Sequence, residues 1–185
     1  MILDIFKYFA KFPSRKGILA MATLGKSQLK EYSEIVSELK SLPESDVVLP
    51  EVDYYLYAQS VDELQKTIQK LTGSFLLIDY GEISFSQRMP RSIEASIQVA
   101  ATVAVKVSER ADALERFILN GRSLDCLNRV YAKMLDDSDS GTLSWLDRDR
   151  LISAQFLPFL SPELSAVGWT LMFEAVSVDP TAIRS

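Results

Sequence analysis

Histidine is missing from this sequence altogether, and cysteine occurs once, at Cys126. Without histidine there is no Ser-His-Asp or Cys-His nucleophile pair and no metal site built on imidazole. A single cysteine rules out an internal disulfide and a thiolate zinc cluster. A lone thiol in an apolar stretch reads as a small core residue in a reducing compartment. Long apolar runs are also missing, and none approaches the ~20 residues needed to span a bilayer. Nor is there a basic face. Lysine and arginine number 20 against 25 acidic residues, a net charge of −5, and the basic residues are scattered. A general nucleic-acid binder needs them clustered against phosphates. A phosphate loop is lacking too. Gly25-Lys26-Ser27 has the ending of one, but Ala20 stands where Gly-x-x-x-x-Gly-Lys-Ser requires its first glycine.

What remains is a chain of 185 residues, 48% apolar. That is enough for one sizeable core, alone or with an arm. Near the start, Lys7, Lys11, Arg15 and Lys16 precede "GILAMATLG" in the order of a signal peptide. The apolar stretch is short, however, and bulky Ile5, Phe6 and Phe9 lie among the lysines, so the segment reads as retained. Ile2, Ile5, Phe6 and Phe9 share one face of a helix that "FPSRKG" breaks. Leu29, Tyr32, Val36 and Leu39 predict a second helix over about 27–41, with Ser27 as its N-cap and Pro43 beyond its end.

From residue 45 the pattern becomes mixed. "VDYYLY" alternates as a short strand. Ser60-Val61-Asp62-Glu63 is a capping box opening a helix, which Gly73 closes. "SFLLIDYGEISFSQ" is a strand whose apolar parity changes after Tyr80, so a bulge is expected near Gly81. In "SIEASIQVAATVAVKVS" every odd position from Ile93 to Val107 is apolar, while the even positions are small or polar. Eight matches to period two predict one strand on the order of 50 Å long. Its even face is either solvated or shaped for a flat neighbour. Residues 109–135 follow helical spacing, with Asn120-Gly121 in the middle. Either the helix breaks there, with Ser123 capping a second piece, or a close contact uses the missing side chain. "RLISAQFLPFLS" and "GWTLMFEAVSVD" predict two closing strands, and Pro158 confines the first to an edge or a bend.

The chemistry on offer is thin. Asp136 to Asp147 has calcium-loop spacing, but serines replace two expected carboxylates and the last ligand is a short aspartate, so a polar turn is the preferred reading. Asp147-Arg148-Asp149-Arg150 reads as a surface ion-pair run. Asp79, Tyr80 and Glu82, with Tyr54, Tyr55 and Tyr57, are the residues around which a small ligand-binding or enzymatic pocket would form. No catalytic, cofactor-binding or metal-binding set can be named.

The predicted class is α+β: a mainly antiparallel sheet with a long β-hairpin packed on helices (45–185) and an N-terminal helical arm (1–44). The order of a capped helix at 60–72, "FLLIDYGEISFS" with "IEASIQVAATVAVKV" as a hairpin, a helix at 110–135 and "GWTLMFEAV" as closing strand resembles the tail terminator, or tail-completion, proteins of long-tailed bacteriophages. The resemblance covers roughly residues 45–180. It implies a non-enzymatic structural protein, forming a ring at the tail tube end or head–tail junction with copies of itself and other tail or connector proteins. It would act in the virion, or in the host cytoplasm during assembly, with no membrane and no cofactor. On this reading the interface draws on Ile2, Ile5, Phe6 and Phe9 of the arm and on Ser96, Gln98 and Thr102 of the long strand's slim face. The alternative for the arm is that its helix folds back on its own core.

Overall fold

The computed structural model describes residues 1–22, 27–44, 47–57, 66, 68–89, 92–141 and 143–177. Three helices come first: α1 (Ile2–Ala10), α2 (Arg15–Ala22) and α3 (Lys30–Ser41). Then follow β1 (Tyr54–Tyr57), β2 (Ser74–Met89) and β3 (Ser92–Lys106). The chain continues through α4 (Ala113–Asp139), α5 (Arg148–Ile152), β4 (Gln155–Ser161) and β5 (Ala166–Ser177). The strands form one five-stranded sheet in the order β1-β2-β3-β5-β4, antiparallel except for the β1–β2 pair. The architecture is α+β, as the sequence predicts.

The long hairpin is present and positions everything else. Ser74 pairs with Val105 at one end of β2–β3 and Met89 with Ser92 at the other. The register shifts between Tyr80 and Ile83, so Gly81 and Glu82 form the expected bulge, and it shifts again between Gln87 and Met89. The bulge is what lets Tyr80 and Ile83 face the same side of the sheet despite their opposite parity. β4 lies at the sheet edge, consistent with Pro158, which has no N–H to give to an outer neighbour.

The main core lies on the face that carries Ile97, Val99, Ala101 and Val103. It is closed by Leu127, Val130 and Met134 of α4 and by Ile5 and Phe9 of α1. A second, smaller cluster on the opposite face joins Leu56, Ile68, Phe75, Leu77, Ala104 and Ala166. All three N-terminal helices contribute to the main core, through Ile5 and Phe9 of α1, Ile18 of α2 and Leu39 of α3. Phe9 is fully buried and its ring lies 6.2 Å from that of Phe173 in the last strand. Tyr55 fixes α1 from below, donating its hydroxyl to the Phe6 carbonyl at 2.8 Å.

Several local expectations differ from the structure. "RKGILAMA" forms α2, a helix the sequence reading does not anticipate. α3 begins at Lys30 with Leu29 in the N-cap position, and Ser27 instead accepts from the Leu29 N–H at 3.2 Å. Gly25, Lys26 and the Ser60–Glu63 capping box lie outside the described residues. Gly73 does take a positive φ of 118°, and a Cβ there would meet the Asp53 carboxylate at 2.3 Å. α4 runs unbroken through Gly121, around which there is open space, so neither proposed reason for that glycine holds. Ser123 donates to the Leu119 carbonyl inside the helix and caps nothing.

Candidate functional site

The residues expected at an interface are mostly spent inside the chain. Ile5 and Phe9 are buried, while Ile2 and Phe6 are partly buried against the same core. Phe6 packs between two tyrosines, its ring 5.4 Å from Tyr55 and 5.1 Å from Tyr57. On β3, Ser96 is buried and shares a 2.8 Å hydrogen bond with Ser84, and Thr102 is buried and shares one of 2.7 Å with Thr170. Gln98 alone of the three is exposed. Small polar side chains on that face thus serve as cross-strand ladders. Glu94, on the same face, is also buried.

The surfaces that are apolar and exposed lie elsewhere. At the far end of the hairpin, Ile83, Phe85 and Ile93 are 42, 62 and 52% exposed. Register puts them on one face, since Ile83 opposes Ile97, Phe85 opposes Ala95, and Ile93 follows two residues before Ala95. This is the core-bearing face continued past its covering helices. The second surface is the start of α4, where Leu114, Phe117 and Ile118 are 66, 76 and 46% exposed. Ile118 and Leu127 are nine residues apart, which is half a turn out of phase on a helix. Leu127, Val130 and Met134 face the sheet, so the first stripe faces away from it. Helical spacing alone merges the two stripes into one, and only the phase separates them. Leu160 on β4, 68% exposed, lies near this end. It lines a cleft of about 490 Å³ together with Arg116 of α4 and Val107.

These two patches sit at opposite ends of the molecule. β3 begins at the hairpin tip and ends at Lys106, and Val107 then donates to Ser165 in the β4–β5 turn before α4 starts. Thirteen residue-to-residue steps along the strand lead from Ile93 to Lys106, or roughly 40 Å.

Several titratable groups are committed to structure. Asp137 accepts from the Tyr8 hydroxyl at 2.8 Å and from Lys133 at 2.5 Å, with Lys11 at 3.6 Å. Partial burial works against its ionisation, but Lys133, Tyr8 and Lys11 outweigh that and hold its carboxyl below the usual range. Burial and the Asp137 charge push the Tyr8 phenol well up. Asp139 pairs with Arg148, and Asp147 caps α5 by accepting from the Asp149 and Arg150 N–H groups. The Asp136–Asp147 stretch is thus a helix end and a turn, and the described residues hold no group of three or more metal-capable side chains. The expected surface ion-pair run is half internal. Arg150 reaches Glu94 at 2.9 Å and also pairs with Glu174. Cys126 donates to Glu51 at 3.2 Å beside Arg129, and burial raises its thiol above the ordinary value. Asp79 and Glu82 are exposed, and the Asp79 carboxylate accepts from the next backbone N–H at 2.7 Å. No helix among the described residues is long and apolar enough to cross a membrane. Compared with known protein families, with characterised proteins and with solved structures, the chain matches none.

Proposed function

We propose that this chain is a non-enzymatic structural subunit that assembles end to end with copies of itself. The observation that carries this is the pair of unlike apolar patches at opposite ends of the long hairpin sheet: Ile83, Phe85 and Ile93 at one, Leu114, Phe117 and Ile118 at the other. A contact between two different patches is heterologous, and repeated contacts of that kind close into a ring or run on as a filament. Each patch exposes on the order of 300 Å² of apolar side chain, the size of the apolar centre of an interface, with polar side chains forming its rim. The resemblance to tail terminator proteins names a setting in which such a ring has a use, at the end of a phage or prophage tail tube or at the head–tail junction. Its partners there would be copies of itself and other tail or connector proteins.

The test is solution mass by light scattering at about 100 µM, for wild type, Phe85→Glu and Phe117→Glu. Both side chains are exposed, so folding stability should change by no more than about 0.5 kcal/mol. Wild type should be oligomeric and each variant monomeric. An equimolar mixture of the two variants should give dimers, because one intact patch of each kind remains. A monomeric wild type refutes the proposal, and so does a Phe117→Glu protein that assembles normally.

A further inference from the structure

Within its own chain, Gly121 has no reason to be a glycine. It sits in the interior of α4, where glycine is less favourable than alanine. Its backbone is helical, so a side chain would not strain it, and a Cβ built there would meet no atom within 4 Å. The residue is exposed, so the empty space opens outwards.

Its place in the helix is informative. Leu114, Phe117 and Ile118 precede it by seven, four and three residues, which puts all four on one helix face. That face points away from the sheet, since buried Val130 lies nine residues on, half a turn out of phase. Four residues spaced in this way frame the hole into which a packing partner sets one side chain. Three corners of the frame are large, apolar and exposed. The fourth is bare, which widens the hole enough to admit an aromatic ring.

The same chain carries a matching ring. Among the described residues, the large apolar side chains that stand exposed include two aromatics, Phe117 in the frame itself and Phe85 at the hairpin tip. Phe85 opposes the small Ala95 across the strand pair and is 62% exposed. The two patches lie at opposite ends of the molecule, so a Phe85 that enters the hole belongs to another copy. Charge selects this contact over like meeting like. Glu82 lies three residues before Phe85, and Arg122 directly follows Gly121. Both are exposed, and among the described residues neither has an ion-pair partner. Tip against tip would bring the Glu82 carboxylates together, and helix against helix the Arg122 guanidinium groups. Tip against helix brings acid to base.

We infer that Leu114, Phe117, Ile118 and Gly121 form a socket for the Phe85 ring of a second copy of this chain, with Gly121 as the specificity-determining position. The inference rests on the end-to-end assembly proposed above and adds which side chain goes where. Any side chain at 121 fills the socket while making the helix better formed, so assembly and helix stability call for opposite residues there.

The test isolates one contact. Phe85→Glu keeps its socket and Phe117→Glu keeps its tip, so a mixture of the two chains pairs once, and titration calorimetry gives the dissociation constant. Adding Gly121→Leu to the first chain should weaken the pairing at least tenfold, and adding Phe85→Ala to the second should do the same. Gly121→Leu adds about the volume that Phe85→Ala removes. The two together should therefore pair no more weakly than the weaker single change, which is the signature of direct contact. Circular dichroism should show the Gly121→Leu chain melting no lower than its parent, so that lost pairing is not lost folding. Three results overturn the socket while leaving end-to-end assembly standing: Gly121→Leu pairs as tightly as its parent, the two losses multiply to about a hundredfold, or Phe85→Glu alone still associates with itself through its intact helix face. No pairing between the parent variants overturns the assembly and the socket together.

Discussion

Replacing Arg150 with methionine tests an ion pair whose acidic partner is almost fully enclosed. Arg150 is 39% exposed and meets Glu94, which is 4% exposed, and Glu174, which is 23% exposed. Methionine keeps much of the packing volume but takes the guanidinium away from the enclosed Glu94 carboxylate. Breaking a fully buried pair costs about 3–5 kcal/mol, whereas an exposed pair is worth ~0–1 kcal/mol. Arginine here is partly wet and glutamate almost dry, so about 2–3 kcal/mol is expected. For a domain of this size that lowers the melting temperature by about 4–12 °C. The assay is urea unfolding followed by circular dichroism at pH 7, with the slope checked for constancy so that the midpoint reports stability. Adding Glu94→Gln to the Arg150→Met background removes the enclosed charge and should recover roughly half of the loss. If Arg150→Met stays within about 0.5 kcal/mol of wild type, or the double variant is no better than the single, the reasoning from burial is wrong.

The glycines make an opposed pair. Gly121→Ala, in a helix interior with open space around it, should stabilise the protein by about 0.5–1 kcal/mol. Gly168→Ala should destabilise it by at least about 2 kcal/mol in the same urea assay, because its Cβ would lie 2.1 Å from the Val103 carbonyl oxygen in the neighbouring strand. A fall for Gly121→Ala would contradict the uninterrupted helix. Acid titration of stability checks Asp137, whose folded-state pKa lies below its unfolded value. The stabilisation is fully present above the unfolded value, near pH ~4, and is lost as pH falls through the folded one. Wild type should therefore exceed Asp137→Asn at neutral pH and lose that margin below pH ~4, and a margin that persists at pH 2 would refute the assignment.

The strands were legible because their signal is long or chemically sharp. Eight alternating positions leave β3 no other form, and the change of parity after Tyr80 can only be absorbed by an extra residue, which Gly81 and Glu82 supply. Pro158 announces an edge by what it cannot donate. The helices were less so. Gly121 argues for a break because local propensity costs ~1 kcal/mol there, yet packing of Leu127, Val130 and Met134 on the sheet carries α4 through. The slim face of β3 misled for a different reason. Serine and threonine suit water and suit tight ladders equally well, and only the partner strands, with Ser84 and Thr170, decide between the two. The outward stripe Leu114-Phe117-Ile118 was present in the sequence but hidden by merging two phases of one helix.

Phe9 against Phe173, and Tyr8 against Asp137, tie the first helix to the last strand and to the end of α4. Such distant partners make loop closure a large part of the barrier to folding. A ribosome releases the two halves of these contacts far apart in time. Phe6 can meet Tyr55 and Tyr57 early, whereas Phe9 gains Phe173 only after β5 has emerged, so that stretch of the oily side of α1 stays open longest in the newborn chain.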